Sequence, residues 1–221
     1  MGKIKAVIFD LDGTLIDTIP LHEKSFIRLF ELFGLRLGKK MIKKYMRLNT
    51  EEIYKKLNAK KTLKIEMEEF LELRRRIYYS LIRGRKTVFR DVFPCLKRLK
   101  GYRLGIATNS SRRTLKQSAP RELLEKFGKT ISFSDVQKAK PDPEMLLKLA
   151  KKLGTKPENC AVAGDSVMDV RAAKKAGMKA ISIYRKTGAS GRKELEKEKP
   201  LFIAESLCEL PKIIGKIEKQ N

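Results

Sequence analysis

Disulfide chemistry is the first thing the sequence excludes. Its three cysteines, Cys95, Cys160 and Cys208, are far apart, odd in number and outside any metal-ligand spacing, so no disulfide framework is expected and a reducing, cytoplasmic setting fits best. Histidine is scarcer still: His22 stands alone, and one imidazole cannot build a zinc site. No apolar run approaches the roughly 18 residues of a membrane span. The opening MGKIKAVIFD lacks a long apolar stretch followed by a cleavage site, so no secretory signal is expected. Ala6 also breaks the myristoylation pattern that Gly2 begins. The last shortage is of acidic side chains, 26 Asp and Glu against 51 Lys and Arg, for a net charge of +25.

A surplus of that size invites a nucleic-acid partner. Residues 39–64 concentrate it, with ten Lys or Arg against Glu51 and Glu52, a local +8. No RNA-binding aromatic signature, zinc finger or low-complexity basic tail accompanies these charges. A solvated lysine-rich surface is therefore the expected reading, with nucleic acid as the alternative. At 221 residues, 42% of them apolar, the chain can bury one sizeable core with material left for a second small unit.

Short apolar runs occur at KAVIF, RLGIAT, CAVAG, KAISIY and LFIA, each followed by a helical pattern. This rhythm predicts an α/β fold with a Rossmann-like, doubly wound parallel sheet. About 90 residues separate the first two runs, far more than one crossover helix needs. Most of that interval has helical periodicity: LHEKSFIRLFELFG puts Leu21, Phe26, Leu29, Phe30 and Phe33 near one face, and MEEFLELRRRIYYSLI behaves similarly. The expected organisation is a core of residues 1–16 and 87–221 with an all-helical cap inserted over 17–86, returning through IRGRKT around Gly84.

In open α/β sheets ligands bind beyond the carboxyl ends of the strands. Four polar sets fall there: Asp10-Leu11-Asp12-Gly13-Thr14, Thr108-Asn109-Ser110, Lys140-Pro141-Asp142-Pro143 in a later loop, and Gly164-Asp165-Ser166-Val167-Met168-Asp169. Each alone has an ordinary explanation as a helix cap, a turn or a surface charge. Four in this order point to one site.

The four sets resemble the motifs of the haloacid dehalogenase superfamily, in the subgroup with a helical cap inserted after the first motif. That subgroup includes phosphoglycolate phosphatases, sugar-phosphate phosphatases and β-phosphoglucomutases. The resemblance runs from AVIFDLDGTLIDT through ATNSS, KAKPDPEMLLKLAKKLG and CAVAGDSVMDVRAAKKAGMKAISI to LFIAESLCELPKII. It implies a Mg2+-dependent phosphatase of small phosphorylated metabolites. A carboxylate attacking a phosphate dianion needs a cation to offset repulsion, which makes sense of two aspartates ending a buried strand.

By the resemblance, Asp10 is the nucleophile that forms an aspartyl-phosphate. Asp12 protonates the leaving oxygen and then activates water. Asp10, Asp12 and Asp165 serve the metal. Asp169, four residues after Asp165 and expected on the same helical face, holds a metal-bound water or the lysine. Lys140 bridges Asp10 and the phosphoryl oxygens, while the Thr108 hydroxyl and the Asn109 amide take other phosphate oxygens. In the cap, His22 and Arg47 are the substrate-binding candidates. Thr14 stands where the mutases carry a small apolar residue. Arg47 and Thr50 replace the mutases' cap-loop Gly and Arg, and Arg90-Asp91 replaces the family's usual Pro-Gly. The first three departures favour a phosphatase. A sugar-phosphate mutase and a nucleotide or polynucleotide phosphatase remain the alternatives.

Overall fold

The computed structural model describes residues 3–46, 48, 50–60 and 63–219. Its strands are β1 (Ala6–Phe9), β2 (Arg103–Thr108), β3 (Lys129–Ser132), β4 (Cys160–Gly164), β5 (Lys179–Ile183) and β6 (Phe202–Ala204). In chain order the helices are α1 (Ile19–Leu32), α2 (Lys39–Tyr45), α3 (Thr50–Leu57) and α4 (Met67–Ile82), then α5 (Val92–Arg98), α6 (Arg112–Ser118) and α7 (Arg121–Leu124). They continue with α8 (Glu144–Lys152), α9 (Val167–Lys175), α10 (Arg192–Lys197) and α11 (Leu210–Lys219). No helix among the described residues is long and apolar enough to cross a membrane.

The strands form one sheet in the order β3-β2-β1-β4-β5-β6, with every pairing parallel. Successive side chains of β1 point to opposite faces. Val7 and Phe9 join α5, α6 and α11 through Val92, Leu115 and Ile214. Ala6 and Ile8 join α8 and α9 through Leu149 and Ala173. Burial on both faces is why these strands read as continuous apolar runs. The order reverses between β1 and β4, the switch point at which such sheets bind ligands.

Strand β3 is absent from the sequence reading. Its KTIS is four residues long, three of them polar, at the sheet's edge. A short edge strand carrying a lysine resists pairing with other chains, and the same features hide it from an apolar-run search.

The chain divides into two compact units, Met1–Asp17 with Thr87–Asn221, and Thr18–Lys86. In the second unit α1 packs against α4 over a buried cluster of Phe26, Leu29, Phe30, Ile42, Ile53 and Phe70. Leu21 and Phe33 are only half-buried, because the inward stripe of α1 runs through His22 and Ser25 instead.

Arg90-Asp91 makes its turn by a different device from Pro-Gly. Asp91 sits at the N-cap of α5 without capping it, its carboxylate being committed elsewhere. Arg185 grips it with two nitrogens at 2.9 and 2.8 Å, and the Ser206 hydroxyl and Leu207 N–H add bonds of 2.8 and 2.9 Å. Burial pushes the carboxyl's pKa up, but these hydrogen bonds outweigh burial and hold it below the usual carboxylate value of 3.8. A depressed folded pKa gives stability that is present above 3.8 and lost as pH falls through the folded value. Asp91→Asn is therefore expected to cost about 1–3 kcal/mol at pH 7, with the gap to wild type closing below about pH 4. Denaturant melts at pH 7 and pH 3 check this, and an unchanged gap would contradict it.

Candidate active site

Parallel register brings three strand ends together, pairing Phe9 with both Ile106 and Ala163. Asp10 follows at once, its N–H bonded to Ala163 O at 2.9 Å. Gly13 is in the left-handed region at φ 87°, and a Cβ there would lie 2.2 Å from Asp165 Oδ2. Only glycine allows that approach. Thr14 then donates its hydroxyl to Asp165 Oδ1 at 3.0 Å, and Ala189 N–H holds the other oxygen at 2.6 Å.

Lys140 is the hub. Its buried ammonium donates to Asp10 Oδ1 at 2.6 Å, Asp169 Oδ1 at 2.5 Å and Ala107 O at 2.8 Å. Asn109 grips the lysine's backbone at both ends, Oδ1 accepting from Lys140 N and Nδ2 donating to Lys140 O, each at 3.0 Å. Its carboxamide is thus spent on positioning the lysine loop, where the sequence reading has it on phosphate.

Asp165 and Asp169 do not share a helical face, because α9 begins after Ser166. Asp169 instead reaches back in a capping box, Oδ2 accepting from Ser166 Oγ at 2.5 Å and Ser166 N at 3.1 Å. Gly164 makes room for that return, since a Cβ there would sit 2.3 Å from Asp169 Cγ. The result still brings the two carboxylates together. Asp10, Asp165 and Asp169 each offer an oxygen within 4.8 Å of the others.

The carboxylate of Asp12 is not in that group. Ser110 Oγ donates to its Oδ2 at 2.7 Å and Thr108 Oγ1 at 3.4 Å, while Ser110 N–H bonds Thr108 Oγ1 at 3.0 Å. Ser110 and Thr14 thus hold site carboxylates although the sequence reading gives neither such a role. Their places inside the motifs were the available signal.

Three buried carboxylates around one buried lysine leave excess negative charge. Burial raises Asp10 well above 3.8, Lys140 pulls it down, and the charges of Asp169, Asp165 and Asp12 push it up again. Burial, then Asp169, raises Asp165 to about 7. Burial lowers the lysine's pKa, but Asp10 and Asp169 overcome this and keep it protonated above its ordinary value. Oxygen-only donors with uncompensated charge fit a hard divalent cation, and neither His nor Cys joins the group.

His22 lies in α1, buried, with Nδ1 2.8 Å from Arg74 Nη2 and its ring stacked on Tyr78 at 4.2 Å. These contacts are internal to the helical unit. Arg47 lies outside the described residues.

Residues 7–183 match the family model described as haloacid dehalogenase-like hydrolase, and the chain belongs to that family of hydrolases. Pyrophosphatase PpaX of Bacillus mycoides is 28% identical over 221 residues, 97% of this chain and 99% of that protein. CbbY from Rhodobacter sphaeroides, solved in complex with xylulose-(1,5)bisphosphate, shares the fold at a TM-score of 0.80 and 22% identity over 94% of this chain and 96% of its own. A β-phosphoglucomutase from Clostridium difficile does so at 0.79 and 22%, over 98% of each chain.

Proposed function

We propose that the chain is a Mg2+-dependent phosphatase of small phosphorylated metabolites that works through an aspartyl-phosphate on Asp10. The observation carrying this reading is the cluster at the sheet's switch point, with Asp10 on Lys140 and three carboxylates within 4.8 Å. Asp10, Asp165 and Asp169 would hold the ion. When bound, it supplies the positive charge that lets a carboxylate meet a phosphate dianion.

An Asp10 oxygen attacks phosphorus, and the bond to the leaving oxygen breaks as Asp12 gives that oxygen its proton. Asp12 then takes a proton from the water that attacks phosphorus, freeing Asp10 and inorganic phosphate. Ser110 and Thr108 aim the Asp12 carboxylate for both transfers. Lys140, kept charged, neutralises Asp10 and holds it in place, its three N–H groups spent on Asp10, Asp169 and Ala107 O. It therefore acts on the phosphoryl group through its charge, and Asn109 acts through the lysine loop.

Substrate is tested by phosphate release from sugar phosphates, nucleotides, phosphoglycolate, pyrophosphate and phosphorylated oligonucleotides, with Mg2+ and with chelator. Pyrophosphate enters because PpaX, similar along its whole length, is a pyrophosphatase. The expected result is release that chelator abolishes. An isomerised sugar phosphate without free phosphate would instead establish the mutase.

Removing one charged ligand has its own expected result. Asp165→Asn should raise the Mg2+ needed for half-maximal activity by about tenfold or more and abolish the increase in melting temperature that Mg2+ gives wild type. An equal thermal shift in both proteins would remove Asp165 from the metal.

A further inference from the structure

A groove of about 950 Å3 opens in the sheet unit at the amino ends of β2 and β3. All strands run parallel, so this is the end opposite the carboxylate cluster, roughly 17 Å away along a strand of this length. The floor is apolar, with Phe93, Leu96, Leu104 and Leu153. Around it stand Lys97, Lys100, Arg103, Lys126, Lys129 and Lys152, and the lining has a single acid, Glu122. These cations come from separate segments that only the fold assembles. None of the five lysines makes an ion pair among the described residues. Among the described residues Arg103 is tethered by the neutral oxygens of Leu153, Gly154 and Thr155, so its charge is also uncompensated there.

Like charges gathered around a concavity repel one another and focus a positive field into it. A ligand relieves this only by bringing several negative charges. The apolar floor asks for a second property, since a bare inorganic anion would leave Phe93 and Leu104 against water. The partly buried Tyr102 ring, whose hydroxyl meets Glu218 at 3.5 Å, adds a flat face to the lining. The volume falls within the range of pockets that hold one small molecule.

We propose that this groove is a second ligand site, taking a nucleoside di- or triphosphate with its base on the Phe93–Tyr102 side and its phosphates among Lys126, Lys129, Lys152 and Arg103. Planar bases stack on aromatic faces, and clustered cations recognise polyphosphate. The site is separate from the strand-end carboxylates and stands whether or not those perform phosphatase chemistry.

The test is calorimetric titration of the full chain with α,β-methylene-ADP in chelator, which withholds the cation that the strand-end carboxylates need to meet a phosphate. Wild type should bind saturably with one site. Combined Lys126→Glu, Lys129→Glu and Lys152→Glu should weaken binding about tenfold or more, and so should the milder set with Gln at the same three positions. Both sets should keep the wild-type melting temperature, because the side chains are exposed. Absence of saturable binding, or equal affinity in wild type and the Gln set, would overturn the proposal. So would saturation by a single-stranded oligonucleotide under conditions where the nucleotide does not bind.

Discussion

Asp10→Asn is expected to lower phosphate release on the order of 10^4-fold or more from every substrate the wild type accepts. An amide oxygen is a poor nucleophile and cannot form the acyl phosphate. The replacement is nearly isosteric and still accepts a hydrogen bond from Lys140 Nζ, so the fold should survive. A melting curve separates the two effects. Beryllofluoride, which mimics an acyl phosphate, should raise the melting temperature of wild type and leave Asp10→Asn unmoved. Residual turnover within about tenfold of wild type would end the covalent account.

The second large effect is expected at Lys140. Replacing it with Met removes the cation that touches both Asp10 and Asp169 and leaves buried carboxylates facing each other. Breaking one partner of a buried ion pair costs about 3–5 kcal/mol, and turnover should fall by about 10^2-fold or more because Asp10 loses its counter-charge. The penalty has a pH sign. Without the lysine's charge, Asp10, which burial already raises, takes up a proton more readily in the folded state than in the unfolded one, so the variant's deficit should shrink as pH falls from 8 towards 5. Denaturant melts across that range measure it. A deficit independent of pH, or activity close to wild type, would contradict the reading of Lys140 as a neutralising hub.

Much of the site is readable in the sequence because a parallel sheet gathers its chemistry at strand ends, within a few residues of an apolar run. Asp10, Asp12, Thr108 and Asp165 are of this kind. Lys140 is in a loop and is readable only through its motif. What escapes is whatever depends on where a side chain turns. Spacing puts Asp169 on a helical face with Asp165, whereas the chain folds it back as a cap on Ser166. Asn109, expected on phosphate, has both ends of its carboxamide on the lysine loop. Asp91 meets Arg185, 94 positions away, and Ser206, 115 positions away, a pairing no local pattern carries. Charge shows the same limit. A window count singles out residues 39–64, but the groove's cations lie at 97–103, 126–129 and 152, in segments that only the fold brings together.

The central claim is that Asp10 carries the phosphoryl group, and chemical trapping tests it most directly. Wild type in turnover with its best substrate is quenched with borohydride, which reduces an acyl phosphate to an alcohol, and the peptide spanning residues 6–18 is sequenced by mass spectrometry. The expected result is a reduced side chain at position 10, formed only when substrate and Mg2+ are both present. Reduction at Asp12 instead, or an unmodified peptide under steady turnover, would contradict the account.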